Sequence, residues 1–434
     1  MRAGGSTRDE TYVADLLRDD AGTFLEAATR LGAKLCDEAV WDGDTCGWSG
    51  PLPTVVDGSW TSTVRPFGPE LYSGTSGVAL ALARLYRATG EERFAATAAA
   101  GVQDALARLG EVPPWLRCSF YTGFAGIAVA ALELGEALED ERWVETGLRL
   151  LTGLGRIDPE VQVADVLSGV AGTIPVLLDV HRRYQSTASL EAAVRFGSFL
   201  VADANRSVEA WSWSARGTAT PVGGRDLTGL AHGAAGIARA LLELHHATGD
   251  DRFRAAAEGG FRYEQGWFSP DRENWADVRA VNADGSAGAG AYQVQWCYGA
   301  AGTGLAHLRS YELTGDVEHR LAAEAALRTV TRDLRAFPDN LQPNYSLCHG
   351  VCGNAELLLS AGAILGDAEA VRLAAQIGRE GVARHIRHPA PWPSGAAGGR
   401  ETPGLMWGVA GTAYFYLRLH NPAETPSLLL PVPS

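Results

Sequence analysis

A Gly-x-x-Gly pair recurs seven times along this 434-residue chain, each time at the head of an apolar, alanine-rich run. The copies are YSGTSGVALAL (Gly74, Gly77), YTGFAGIAVAA (Gly123, Gly126), LSGVAGTIPVL (Gly169, Gly172), AHGAAGIARAL (Gly233, Gly236), CYGAAGTGLAH (Gly299, Gly302), CHGVCGNAELL (Gly350, Gly353) and MWGVAGTAYFY (Gly408, Gly411). Taken singly, such a pair says only that helices approach closely, because glycine has no Cβ in the way. A unit repeated in register marks a repeat architecture, in which each copy buries its apolar face against its neighbours. The apolar runs usually end in a glycine-containing break such as ATGEERF, ATGDDRF or LTGDVEH, and a second helical pattern with charge on one side follows. The unit is therefore a helical hairpin with one buried helix and one helix that keeps a face in water.

Seven hairpins that cannot bury their apolar faces alone are best satisfied by stacking into a closed ring. The expected fold class is all-α: an α/α toroid of seven helical hairpins in inner and outer layers, a single domain spanning residues 1–434. The seventh turn supplies an inner helix (GTAYFYLRLH) and then a proline-containing tail, residues 421–434. An unpaired outer helix over about residues 17–40 is expected to meet it and close the ring. Every turn then lies on one rim, with the side chains just before the turns directed at the axis.

Composition removes several function classes. The net charge is −14, Lys34 is the only lysine and no basic run occurs, which argues against a nucleic-acid partner. The N-terminus (MRAGGSTRDETYVADLLRDD) lacks an apolar signal core and no stretch is apolar for long enough to span a bilayer. A cytoplasmic protein, not integral to a membrane, is expected. Six cysteines (Cys36, Cys46, Cys118, Cys297, Cys348, Cys352) are too sparse for a disulfide scaffold, so thiols are expected.

Chemistry is to be sought where one copy departs from the others. Cys297 stands two residues before Gly299, while Cys348 and His349 stand immediately before Gly350. A lone cysteine in an alanine-rich segment is ordinarily a small buried hydrophobe. All three residues sit at equivalent turns of adjacent repeats, however, which points to metal. If those turns are neighbours on the rim, two thiolates and an imidazole converge and leave a fourth zinc position open, as in catalytic sites. Cys352 lies inside the sixth turn, where other copies carry Ala or Ser, and reads as a packing residue with an alternative ligand role left open.

Trp296-Cys297-Tyr298-Gly299 and Cys348-His349-Gly350, set within seven such repeats, resemble the lanthionine synthetase C family. The likeness covers nearly the whole chain, including the closing GLMWGVAGTAYFYLRLHNPAETPSLLL and the loop Asn274 to Arg279 (NWADVR). It implies an α/α toroid with a catalytic zinc that closes lanthionine and methyllanthionine rings in a peptide. By resemblance, one zinc ion per chain is held by Cys297, Cys348 and His349, and His232 (LeuAlaHisGly) takes the acid/base role. Asp165 matches an acidic residue near that histidine, and Tyr298 a tyrosine beside the first zinc cysteine. Simpler roles stay open for two of these, turn capping for His232 and helix N-capping for Asp165. The implied partners are a dehydrated precursor peptide, a separate dehydratase and an export complex, with peripheral attachment to a membrane-associated synthetase complex left open. One departure stands out: the family carries an arginine four residues before the zinc cysteine, and this chain has Gln293, leaving Arg279 as a substitute.

These residue types suit thiol alkylation. The thiolate is the nucleophile, and a sulfur-binding metal supplies it near neutral pH. Attack on the β-carbon of dehydroalanine or dehydrobutyrine leaves an enolate that needs a proton, for which His232, oriented by Asp165, is the natural donor. The same metal set would also serve a transferase that adds glutathione to electrophiles, and a non-catalytic subunit presenting the precursor would keep the toroid. An α/α-barrel glycosidase would need paired carboxylates at the mouth instead. Seven repeats leave no room for a dehydratase or kinase domain, and the long loop from about Val201 to Asp226 either recognises a leader peptide or covers the rim.

Overall fold

The computed structural model describes residues 8–56, 59–215, 225–279, 290–337, 344–388 and 390–432. Helices α1 (Glu10–Leu17) and α2 (Ala21–Asp37) come first, followed by two antiparallel hairpins, β1 (Val40–Asp42) with β2 (Thr45–Gly47) and β3 (Ser49–Val56) with β4 (Ser59–Pro66). Six helical hairpins follow: α3 (Thr75–Thr89) with α4 (Glu92–Ala107), α5 (Phe124–Leu138) with α6 (Glu141–Leu154), and α7 (Ile174–Tyr184) with α8 (Thr187–Asp203), then three more. These are α9 (Ala234–Thr248) with α10 (Asp251–Gln265), α11 (Ala300–Thr314) with α12 (Val317–Ala336), and α13 (Val351–Leu365) with α14 (Ala368–Gly381). The last helix, α15 (Val409–His420), packs against α2, and α15 also lies against α3.

The helix boundaries follow from the repeat. In six of the seven copies the inner helix starts directly after the first glycine; α7 starts later, with Pro175 in its first turn. Proline is tolerated there because the first-turn N–H has no intrahelical partner. Several inner helices end on a glycine in the left-handed region, as at Gly90, Gly249, Gly315 and Gly366. Four outer helices start on an aspartate cap: the carboxylates of Asp140, Asp250, Asp316 and Asp367 each accept a backbone N–H of the first turn.

The second glycine of a copy is where a helix meets the preceding backbone. A Cβ on Gly302 would lie 1.9 Å from the Trp296 carbonyl oxygen, and one on Gly353 would lie 1.9 Å from that of Leu347. The inner helices are buried on nearly every side, so their runs read as continuously apolar.

Two features bind the inner ring away from the turns. Arg84, Glu133, Glu243, Arg309 and Arg418 all stand ten residues after the first glycine of their copies. There they form buried ion pairs between inner helices: Arg84 with Glu133, Arg309 with Glu243 at 2.6 Å, and Arg418 with Glu356 at 2.8 Å. Buried pairs of this kind fix register more than they add stability, since desolvation offsets most of the attraction.

The tail after α15 then crosses the inside of the ring. Its carbonyls accept from Tyr414 (to Pro426, 2.7 Å), Tyr121 (to Leu428, 2.7 Å), Trp296 (to Leu429, 3.0 Å) and Arg239 (to Pro431, 2.9 Å). Leu428, Leu429 and Leu430 are buried there.

Candidate functional site

The residue two places before the first glycine occupies an equivalent position in every copy: Tyr72, Tyr121, Leu167, Ala231, Cys297, Cys348 and Met406. Backbone hydrogen bonds join these positions into a circle. Tyr72 N–H donates to Tyr121 O (2.8 Å), Leu167 to Ala231 (2.9 Å), Ala231 to Cys297 (3.3 Å), Cys297 to Cys348 (3.3 Å), Cys348 to Met406 (3.0 Å) and Met406 to Tyr72 (2.9 Å). Between Tyr121 and Leu167 the link is made by a side chain instead, Ser119 Oγ donating to Leu167 O at 2.8 Å. This circle makes Cys297 and Cys348 immediate neighbours although 51 residues separate them in sequence.

Both cysteines are nearly buried, at 8% and 3% exposure. The two thiols act on each other electrostatically and through a hydrogen bond. That bond, reinforced by burial, pushes the Cys297 pKa well above its ordinary value. Burial alone would raise Cys348 too, but the bonds from Cys297 and from the Tyr72 hydroxyl outweigh it and bring Cys348 below the ordinary thiol value.

The turn holding Cys297 is braced from outside. Asn274 Nδ2 donates to Gln293 O (2.9 Å), and Asn354 Nδ2 donates to Val294 O (2.8 Å). Gly299 has φ +80° and ψ −151°, a conformation essentially closed to other residues, and a Cβ there would lie 1.9 Å from Gln293 O. Gly299→Ala is expected to cost about 1–3 kcal/mol of stability or more, read by chemical denaturation. An unchanged unfolding midpoint would show that the turn relaxes freely.

His349 lies beside Cys348, with its ring edge-to-face on Trp407 at 6.0 Å. Its Nε2 bonds the Gly395 carbonyl at 3.1 Å. Among the described residues no group of three His, Cys, Asp or Glu side chains is gathered as a metal cluster. The structure brings the two thiols together, while the imidazole is held to Gly395.

The donor set nevertheless fits a thiophilic divalent cation. Two thiols stand on hydrogen-bonded neighbouring turns, and an Nε2–H bonded to a carbonyl leaves Nδ1 of His349 with the free lone pair. Bonding of the second ring nitrogen to a backbone carbonyl is common for metal-binding imidazoles. Cys352 faces elsewhere in character: it is 1% exposed within α13, and its charge would act on the buried phenols of Tyr345 and Tyr416.

The adjoining turn carries His232, which the structure pairs with Asp165 of the turn beyond, Nδ1 to Oδ2 at 2.7 Å. Asp165 is buried and its Oδ1 accepts the Ser168 N–H at 2.6 Å, so it does cap its own turn while orienting the imidazole. Burial alone would lower the His232 pKa, but the charge and hydrogen bond of Asp165 outweigh it and raise the value. Glu264 braces this turn by accepting the N–H groups of Gly229 and Ala235, both at 2.8 Å. Burial pushes Glu264 up to about 8 despite those bonds.

Tyr298 stacks on His232, with ring centroids 5.8 Å apart. Arg279 lies over the other partner of that stack, its guanidinium 3.6 Å from the Tyr298 ring centre, anchored to buried Asp277 at 2.6 Å. Its charge acts on Cys297, Cys348 and His232. The loop Asn274 to Arg279 thus brings a half-exposed cation to the site from a position other than that of Gln293. Residues 216–224 of the long loop lie outside the described residues.

Two groups escaped the sequence reading. Tyr72 donates its hydroxyl to Cys348 Sγ at 2.9 Å, and Trp407 Nε1 donates to the Tyr72 oxygen at 2.8 Å. The signal was available, since both occupy the two positions before a first glycine, where the other site residues of the rim turns stand.

Residues 65–430 match the family model described as lanthionine synthetase C-like protein. Among curated proteins, the lacticin 481/lactococcin biosynthesis protein LcnDR2 of Lactococcus lactis subsp. lactis is 28% identical over 138 residues, 30% of this chain. The matched stretch spans 14% of that relative's length. Among solved structures, nisin cyclase superposes with a TM-score of 0.62 at 18% identity, over 84% of this chain and 93% of its own. That likeness fixes the α/α toroid architecture.

Proposed function

The chain belongs to the lanthionine synthetase C-like family, and from that membership we propose that it is a zinc-dependent lanthipeptide cyclase. In this reading it adds peptide cysteine thiols to dehydroalanine and dehydrobutyrine, giving lanthionine and methyllanthionine thioethers. The observation that carries it is the placement of Cys297 and Cys348 on hydrogen-bonded neighbouring turns of a rim whose next turn holds the His232–Asp165 pair. Cys297, Cys348 and Nδ1 of His349 would hold the ion. When bound, zinc would supply Lewis acidity toward the incoming sulfur, so that the substrate is a thiolate near neutral pH.

This chain's side chains account for the rest. As sulfur bonds to the β-carbon, the π pair of the double bond moves onto the α-carbon and its carbonyl as an enolate. His232, with Nδ1 on Asp165, presents Nε2 to return a proton to the α-carbon. Arg279 on Tyr298 places a positive charge where the enolate forms, the contact for which Gln293 has no charge. The thiol proton lost and the α-proton gained balance, so product and substrate have equal mass.

The dehydrated precursor peptide is the expected partner, with dehydration and export done by other proteins of a cytoplasmic synthetase complex. Among the described residues no helix is long and apolar enough to cross a membrane.

The test incubates the zinc-loaded protein with a dehydrated precursor. Free thiols are expected to disappear with no change in mass. Unreacted thiols would overturn the cyclase reading and leave precursor presentation, and a mass gain of one glutathione per site, when glutathione is added, would assign a transferase.

A further inference from the structure

Tyr72 and Trp407 belong to the first and seventh turns, the two that meet where the ring closes, yet both are directed at a cysteine of the sixth turn. The directions of the two bonds are fixed by donor inventory. An indole N–H can only donate, so at 2.8 Å the Tyr72 oxygen is the acceptor. The phenol has one proton, and with its oxygen occupied by Trp407 that proton lies on the 2.9 Å line to Cys348 Sγ. Cys348 therefore receives a directed O–H donor, whereas Cys297 Sγ has the Gln295 amide oxygen, an acceptor, at 3.5 Å. The two sulfurs are chemically unlike: one is placed to receive a proton donor and the other to give a proton.

We propose that Tyr72, oriented by Trp407, is a positioning residue that fixes the Cys348 sulfur as a ligand of the metal site. The proposal deepens the zinc reading and rests on it. At 3% exposure the Cys348 sulfur has little water around it, so the phenol is its hydrogen-bond donor. A charge-assisted hydrogen bond in such a place is stronger than its counterpart in water. It also fixes the direction of the sulfur, so that Cys348 would offer the ion a preoriented donor.

The experiment compares wild type, Tyr72→Phe and Trp407→Phe for zinc affinity by competition with a chelator. The cobalt-substituted proteins are compared by their sulfur-to-cobalt charge-transfer band. Circular dichroism reports folding. Outer-shell changes typically weaken metal binding by about 10–100-fold, and Tyr72→Phe is expected in that range with a shifted band. Trp407→Phe should act in the same direction but less, since the indole both fixes the phenol and acts on Cys348 itself. Wild-type affinity in folded Trp407→Phe would overturn the orienting role. Wild-type affinity and an unshifted band in folded Tyr72→Phe would overturn the proposal alone, while a wild-type chain that takes up no zinc would overturn it together with the metal reading.

Discussion

Replacing Cys348 by alanine is expected to remove zinc and ring closure together. Its sulfur is nearly buried, receives the Tyr72 hydroxyl and stands on the turn hydrogen-bonded to that of Cys297. Cys352 is close in sequence but sits within α13. Loss of a ligand should exceed the roughly 10–100-fold penalty of an outer-shell change. Metal content after dialysis and thiol consumption with a dehydrated precursor are the two readouts. Cys352→Ala should retain both. Full zinc occupancy in Cys348→Ala would refute the ligand assignment, and zinc loss in Cys352→Ala would transfer it.

The second large effect concerns His232. A positioned general acid typically contributes about 10²–10⁴-fold, and His232→Ala is expected to slow ring closure by that order while zinc stays bound. The pH profile separates catalysis from packing. An ordinary imidazole titrates near 6.5; here burial pulls the value down, but Asp165 outweighs it and raises it. The donor form therefore persists to higher pH than usual, and activity falls as pH rises through the raised value.

Asn at position 165 removes the charge but keeps an acceptor for Ser168 N–H, so Asp165→Asn should move that alkaline limb to lower pH with the turn intact. A limb that stays in place would mean another group titrates. The same pairing contributes stability that is complete below about 6.5 and is lost as pH rises through the folded value.

Locality decides which of these features can be read from the chain. Gly-x-x-Gly followed by an apolar run is a pattern within about a dozen residues, and its recurrence identifies seven turns and their buried helices. Cys297, Cys348, His349, His232 and Asp165 were visible because each departs from what its repeat position otherwise holds. Tyr72, Tyr121 and Trp407 were not singled out, since aromatic residues near a glycine turn usually mean packing. The hairpins β1–β2 and β3–β4 escaped as well, because they lie before the first repeat and outside its period.

Sequence alone determined the hairpin repeat, the ring it must form and the polar residues that break the pattern, because all of these are set by short-range backbone and hydrophobic periodicity. Tertiary structure decided which residues touch. Tyr72 meets Cys348 across 276 residues, and Trp296 meets the tail carbonyl of Leu429 across 133. Such contacts depend on how the turns close their backbone circle and on a tail that fills the ring. No local propensity encodes them, since hydrogen bonds between distant segments form only once packing has brought those segments together.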